Sequence, residues 1–236
     1  MIKIENVVTP SSEQWKAVIM GARNPLNSWN RSDTIIYEHE LEDGPHDIVK
    51  TFNDIGPNDH DLMMRLRNAG TDHRKFMRMI TVHLDVTAPL YFWKEFDTYR
   101  VGVEKNSCST MHKIHEKEFT FDDFSHEKLI NSACMEIREQ NIRVSPIQAL
   151  ATTIECLNSY RDLYLQTKDK KYWWQMIQLL PSSYNQRRTV MLNYEVLANI
   201  YKSRRNHKLD EWHTFCDWIE RLPYSELIIG KMESAK

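Results

Sequence analysis

Residues 179–204 carry the pattern that decides the fold: Leu179-Leu180-Pro181, then Asn193, Asn199 and Arg204, spaced as LLP-x11-N-x5-N-x4-R. Neither glycine nor proline interrupts Ser182–Lys208, so we predict a helix over Ser183–Arg205. On such a helix Asn193 and Arg204 lie about three turns apart and roughly 20° from each other around the axis. The pattern therefore predicts an amide and a guanidinium on one face, directed at a polar ligand or simply reaching solvent.

The composition is that of an ordinary globular chain. Its 236 residues are 41% hydrophobic and 27% charged, with a formal net charge of −2. The lack of a long basic run argues against nucleic-acid binding, and the lack of an apolar run of about 18 residues argues against a membrane span. Four cysteines without a CxxC pair fit a reducing compartment. Because Met1–Val8 lacks the apolar core of a signal peptide, we expect a cytoplasmic protein.

The hydrophobic pattern predicts a mixed α/β (α+β) fold, one domain over residues 1–236 with a central sheet and flanking helices. The predicted strands are Ile2–Val8, Ile35–Tyr37 and Phe76–Val86. The predicted helices are residues 14–20 after a cap at Ser11 or Ser12, Asp59–Asn68, Leu90–Thr98, His126–Glu139, Pro146–Gln166, Lys170–Leu180, Ser183–Arg205 and Leu209–Arg221.

The spacing from Leu179 to Arg204 resembles the C-terminal signature of the flavin-dependent thymidylate synthases, the ThyX family. The resemblance extends over about Ile2–Trp218 and implies a ThyX-like fold that assembles as a homotetramer. It implies that Asn193 and Asn199 line a FAD site and that Arg204 holds a pyrimidine nucleotide. The implied reaction is the reductive methylation of dUMP to dTMP, with methylenetetrahydrofolate and NADPH as co-substrates.

The middle of the chain resembles the family hallmark, Arg-His-Arg followed by seven residues and a serine. Ala88-Pro89 stands where the family has an Ala-Pro pair before the helix that leads to it. Counted without gaps, the triplet falls on Thr98-Tyr99-Arg100 and the serine on Cys108, with Ser107 one residue away. The alignment implies FAD contacts by Tyr99 and Arg100, and catalytic roles for Arg204 and for Cys108 or Ser107.

The same alignment implies substrate contacts by Glu95 and Asn106. His73, in the segment Gly70–His73, resembles the family histidine that contacts flavin. The alternative for His73 is an exposed loop histidine.

Cys108 has two interpretations. Its thiol could act as a nucleophile if Arg100 or Lys105 lowered its pKa. Alternatively, it is a buried small residue in a Ser/Cys-rich turn.

A possible metal motif is present in HxxHExE, formed by His112, His115, Glu116 and Glu118. The polar and apolar residues around it also alternate, which favours a solvated strand or turn.

Two other functions stay open beside the thymidylate synthase hypothesis. One is a flavin- or nucleotide-binding relative that acts on another pyrimidine. The other is a non-catalytic assembly protein that keeps the fold. The sequence contains neither a GxGxxG dinucleotide fingerprint nor a P-loop.

Overall fold

The structure is a computed structural model, and it describes residues 2–40, 48–52, 54–132, 135–137 and 142–230. Its strands are β1 Lys3–Val8, β2 Tyr37–Glu40, β3 Ile48–Thr51, β4 Thr81–Pro89, β5 Val103–Ser107, β6 Met135–Ile137, β7 Ile142–Val144 and β8 Asn185–Asn193. Its helices are α1 Ser12–Arg23, α2 Pro57–Asn68, α3 Leu90–Phe96, α4 Thr110–Lys113, α5 Pro146–Thr167, α6 Lys170–Leu179, α7 Tyr194–Arg204, α8 Asp210–Ile219 and α9 Glu226–Ile229. Short 3₁₀ helices cover Asn24–Leu26, Trp29–Arg31, Arg74–Met79 and Phe121–Asp123.

The main sheet has four strands in the order β1-β4-β8-β5. Two antiparallel pairs stand apart from it, β2 with β3 and β6 with β7, and in the first pair Tyr37 lies opposite Thr51. The prediction of a mixed α/β fold with a central sheet and flanking helices is therefore confirmed. Within the described ranges, no helix combines the length and the apolar character that crossing a bilayer requires.

The contacts group the chain into two compact units. The α5–α6 unit lies within residues 1–3, 86–98 and 106–188, and the α7 unit lies within residues 4–85, 99–105 and 189–236. The predicted single domain over residues 1–236 stays a prediction.

The core of the α7 unit forms where α7 packs against α8, α9 and the 3₁₀ helix Arg74–Met79. Leu197 and Ile200 of α7 are fully buried there. Trp15 of α1 meets the rings of Tyr194 and Tyr224 edge-on, with centroid distances of 6.1 and 5.1 Å. Burial of these large apolar side chains stabilises the packing of α7.

The α5–α6 unit is built on a helical hairpin. Ser145 caps α5 in a reciprocal capping box with Gln148, and Lys168 ends it in a left-handed conformation with φ of 59°. This tight turn lets α6 fold back on α5. The facing apolar side chains of α5 and α6 form one hydrophobic cluster with residues 114–124. The buried members of this cluster are Ile114, Phe119, Phe124, Leu150, Ile154, Leu157 and Met176.

The predicted helix over Ser183–Arg205 is wrong, because β8 occupies Asn185–Asn193 and α7 begins only at Tyr194. Along β8, buried Gln186, Val190 and Leu192 alternate with less buried residues. The strand lies between β4 and β5, so its backbone groups are paired on both sides. Sheet pairing therefore makes these residues a strand, whereas the helix prediction rested only on the absence of glycine and proline.

Three further elements, one helix and two strands, differ from the prediction. The helix His126–Glu139 is wrong where the structure describes it, since residues 126–132 contain one turn, at 127–128, and no helix, and β6 pairs with β7. Residues 133, 134, 138 and 139 of that prediction lie outside the described residues. The strand Phe76–Val86 is displaced to β4, because a 3₁₀ helix occupies Arg74–Met79, and the strand Ile35–Tyr37 coincides with β2 only at Tyr37.

Candidate functional site

Asn193 is the N-cap of α7. Its backbone is extended, with φ of −123° and ψ of 168°, and its Oδ1 accepts a hydrogen bond from the Val196 amide at 3.1 Å. Capping satisfies one of the helix's unpaired amides and fixes the orientation of the side-chain amide. The residue is 8% exposed, so this orientation is held by the surrounding structure. Asn193 and Arg204 are thus at the two ends of α7, and their predicted position on one helix face stays a prediction.

A turn from Tyr99 to Gly102 passes directly beside Asn193. Gly102 has φ of +76°, and a Cβ placed on it would lie 2.8 Å from Asn193 Nδ2. Only glycine combines this backbone conformation with so close an approach. The structure therefore brings Asn193 together with the segment that contains Arg100, whose side chain is exposed.

Arg204, at the end of α7, is held by two aromatic residues. Its Nε donates a hydrogen bond to the Tyr99 hydroxyl at 3.1 Å. Its guanidinium carbon lies 4.9 Å from the ring centroid of Trp212 and 5.7 Å from that of Tyr99. The sequence showed no acidic partner one turn away on the helix. Of the two aromatic residues, Tyr99 lies in the turn after α3, 105 residues away, and Trp212 lies on the next helix, α8. Stacking and the Nε bond together orient a planar cationic fork.

Asn199 is exposed on α7, where Arg74 reaches it. Arg74 Nη2 donates to Asn199 Oδ1 at 3.3 Å, and Arg74 Nε donates to Glu195 Oε1 at 3.1 Å. The Arg74 and Glu195 side chains are only 16% and 10% exposed, so solvent screens their ion pair weakly. Because Oδ1 faces the arginine, the Asn199 amide nitrogen is directed elsewhere.

The adjoining residue His73 is exposed and precedes the 3₁₀ helix Arg74–Met79. This fits both interpretations of His73, a ligand contact and an exposed loop histidine. Sequence reasoning selected His73 and missed Arg74, as well as Glu195 and Trp212. The only available signal was position, since Arg74 follows His73 and Glu195 lies between the two asparagines.

A cavity of about 450 Å³ lies beside Asn199 and is rich in cations. Its basic members are Arg67, Arg74, Lys202 and Arg205. Arg67 donates to the carbonyl oxygens of Leu227 and Ile228, at 3.2 and 2.9 Å, which leaves its charge uncompensated by those bonds. Burial, and next the nearby charge of Arg74, lowers the pKa of Arg67. Arg74 pairs with Glu195 and Arg205 pairs with Asp217 and Glu220, so the positive charge that an anionic group would meet comes mainly from Arg67 and Lys202.

The remaining predicted residues lie in the α5–α6 unit. Glu95 is half-buried on α3, and Asn106 and Ser107 are exposed at the end of β5. Cys108 is exposed, which excludes the interpretation of a buried small residue. Its amide donates to the Arg187 carbonyl and its carbonyl accepts from Gln186 Nε2, each at 2.9 Å.

The end of α3 in this unit is braced by Arg188. Its Nη1 lies 2.9 and 3.1 Å from the two Asp97 carboxylate oxygens, and its guanidinium carbon lies 4.3 Å from the Trp93 ring centroid. Trp93 Nε1 in turn donates to the Gln186 carbonyl at 2.9 Å. These contacts fix the helix that carries Glu95, and sequence reasoning missed them.

The metal interpretation of His112, His115, Glu116 and Glu118 gains no support. Among the residues that the structure describes, no group of three or more histidine, cysteine, aspartate or glutamate side chains could hold a metal ion. Glu116 pairs instead with Lys113.

No family model and no curated protein matches the sequence. Similar solved structures include the flavin-dependent thymidylate synthase ThyX from Helicobacter pylori complexed with FAD and dUMP, with a TM-score of 0.60, 15% identity, and coverage of 96% of this chain and 95% of that one. A second structure of ThyX from Helicobacter pylori, with FAD and dUMP, has a TM-score of 0.60 and 16% identity, with the same coverage. The UMP/dUMP methylase PolB from Streptomyces cacaoi bound with 5-Br dUMP has a TM-score of 0.61 and 15% identity, covering 97% and 94% of the two chains. The chain therefore has a ThyX-like fold over nearly its whole length.

Proposed function

We propose that the protein binds FAD and a pyrimidine nucleotide and that it methylates dUMP reductively to dTMP. In this reaction the methylene carbon of methylenetetrahydrofolate is reduced to a methyl group and replaces a proton on the uracil ring. FAD, reduced by NADPH, supplies the hydride when bound. The protein's own residues bind, orient and polarise the reactants.

The observation that carries the proposal is the way Tyr99 and Trp212 hold Arg204. A guanidinium oriented by a bond through Nε and by ring stacking presents donors in a fixed plane. Such a fork suits a uracil carbonyl or a phosphate. It would stabilise negative charge that develops on the uracil carbonyl oxygen. The likeness in fold to proteins solved with dUMP supports the same assignment.

The side chains around α7 also fit a flavin dinucleotide. Asn193 and Asn199 have their Oδ1 atoms engaged within the protein, so their amide N–H groups are the ones left to face a ligand carbonyl or ring nitrogen. The cationic cavity beside Asn199 suits a diphosphate. We propose His73, Tyr99 and Arg100 as further contacts of the cofactor.

In the α5–α6 unit we propose Glu95 and Asn106 as substrate-binding residues, and Cys108 or Ser107 as the group at the nucleotide's reactive position. Substitutions at positions 107 and 108 distinguish Ser107 from Cys108 in this role. Cys108→Ser restores the residue that the family has here, so activity should persist if the side chain positions the substrate and should vanish if the thiolate is a nucleophile. Ser107→Ala tests the alternative alignment, and Cys156→Ser, on α5, is the control.

The deciding experiment is the absorbance spectrum of the purified protein, with and without added FAD. We expect a bound flavin spectrum, or quenching of FAD fluorescence at micromolar protein. A protein that shows neither would remove the flavin proposal and favour a non-catalytic assembly role.

The fold likeness to a UMP/dUMP methylase favours a second candidate, methylation of a different pyrimidine nucleotide. Release of deuterium from dUMP labelled at carbon 5, compared with labelled UMP, distinguishes the two. Release from dUMP alone supports thymidylate synthesis, whereas release from UMP supports the second candidate.

We also propose a homotetramer. The aromatic content of 11% and the small net charge are compatible with an extensive subunit interface. Light scattering should give about four times the chain mass of 28.2 kDa. The mass of a monomer at every concentration would refute this assembly.

A further inference from the structure

A second cavity, of about 370 Å³, lies in the α5–α6 unit between α4, the end of α5 and the start of α6. Its apolar walls are the rings of Tyr164 and Trp173, with Met111 beside them. Trp173 Nε1 donates to the Met111 carbonyl at 3.0 Å, which ties α6 to the segment of α4. The volume is in the range of small-molecule sites. None of the residues that we propose for FAD or dUMP lines this cavity.

Two lysines on the α5–α6 turn supply positive charge at the cavity. The ammonium nitrogen of Lys168 lies 5.8 Å from the Tyr164 ring centroid, and that of Lys170 lies 5.9 Å from the Trp173 ring centroid. The nearby carboxylate of Asp169 is engaged by Lys171, at 3.0 Å. No acidic side chain is among the described residues that line the cavity. Among the described residues that line the cavity, the two ammonium groups therefore face aromatic rings and no carboxylate.

Two histidines complete the lining. His112 is exposed, whereas His115 is half-buried and its ring meets Tyr164 edge-on at a centroid distance of 4.9 Å. Nδ1 of His115 is buried, and no described residue forms a hydrogen bond with it. A buried ring nitrogen without a partner is uncommon in folded proteins and marks a place where a polar group is missing.

We propose that this cavity binds a small organic anion consisting of a planar ring with a phosphate or carboxylate group. The two ammonium groups would pair with the anion, and the imidazoles would donate further hydrogen bonds to it. The rings of Tyr164 and Trp173 would pack against the planar part of the ligand. An aliphatic anion would not stack on these rings, and a neutral ring would leave the lysines without an anionic partner.

The test uses the full chain labelled with 5-fluorotryptophan and followed by fluorine NMR. Of the seven tryptophans, Trp173 is assigned from the signal lost in Trp173→Phe. Phenyl phosphate and benzoate are titrated separately, because they distinguish a phosphate from a carboxylate ligand. Inorganic phosphate and benzyl alcohol are the comparison compounds. We expect a saturable shift of the Trp173 signal with phenyl phosphate, benzoate or both, and weaker binding of the comparison compounds.

The variant for this test is Lys168→Asn with Lys170→Gln, which removes both charges. Asparagine tolerates the left-handed conformation at position 168, so the turn should persist. We expect affinity to fall about tenfold or more, whereas Lys94→Gln, at an exposed position of α3 that does not line the cavity, should change it less than about twofold. The absence of any shift at millimolar ligand, equal binding by the double variant, or equal binding of benzyl alcohol would each overturn the proposal.

Discussion

Tyr99 and Arg204 are 105 residues apart in sequence, and the Arg204 Nε donates to the Tyr99 hydroxyl at 3.1 Å. The bond joins the turn that follows α3 to the last residue of α7. The bond connects two segments that the sequence analysis assigned to the site from two separate motifs. The orientation of the Arg204 guanidinium is therefore a property of the tertiary structure.

Replacing Arg204 with lysine should weaken dUMP binding by roughly 1.5–3 kcal/mol. Lysine keeps the charge but loses both the planar fork and its stacking on Trp212. Titration calorimetry with dUMP measures the difference. Arg221→Lys, an exposed position, should bind as the wild type does. Equal affinities of the Arg204→Lys variant and the wild type would exclude Arg204 from the site.

Asn193→Ser should leave stability nearly unchanged and weaken FAD binding. Serine caps a helix about as well as asparagine but has no amide N–H to offer a ligand. Asn193→Ala loses the cap as well, and should lower the free energy of unfolding by about 0.5–2 kcal/mol. Urea denaturation and FAD fluorescence quenching measure the two effects. If Asn193→Ser bound FAD as the wild type does, Asn193 would have only a capping role.

Gly102→Ala should destabilise the protein by about 1–3 kcal/mol, because alanine would be strained at φ of +76° and would collide with Asn193 Nδ2. The collision can be isolated in a double-mutant cycle. In an Asn193→Ser background the nitrogen is absent, so Gly102→Ala should lower the free energy of unfolding by at least about 0.5 kcal/mol less than it does in the wild type. Additive costs would mean that the turn does not press on Asn193.

The stability of the protein should fall at alkaline pH in part because of Tyr201. Burial, then its hydrogen bond to the Glu220 carboxylate, raises the pKa of Tyr201 from 10.0 to about 12. The unfolded chain then loses this proton at a lower pH than the folded protein does. The stabilising contribution is complete below pH 10 and is lost as pH rises toward 12.

Tyr201→Phe removes this contribution, so the stability difference between wild type and variant should shrink over that pH window. Urea titrations at a series of pH values measure the difference, and the other tyrosines cancel in it. In a Glu220→Gln background the effect should be smaller, because the carboxylate that opposes ionisation is gone. A difference that is independent of pH would contradict the assignment.

Local signals in the sequence were sufficient for several elements. Ser11 with Gln14 and Ser145 with Gln148 form reciprocal caps that fix where α1 and α5 begin. Apolar periodicity located α2, α3, α5, α6 and α8 to within a few residues. These features depend on neighbours in the chain, and such neighbours are visible in one dimension.

The spacing of Asn193, Asn199 and Arg204 was also visible in the sequence. The sequence did not show that a strand precedes Asn193 or which residues surround the three side chains. The residues before Asn193 have no helix breaker, and only pairing with β4 and β5 makes them a strand. The Arg74 ion pair with Glu195, the hydrogen bond of Arg204 to Tyr99 and the approach of Gly102 to Asn193 join residues that are distant in sequence. Sheet pairing and long-range side-chain contacts depend on how remote segments meet, so only the tertiary structure decides them.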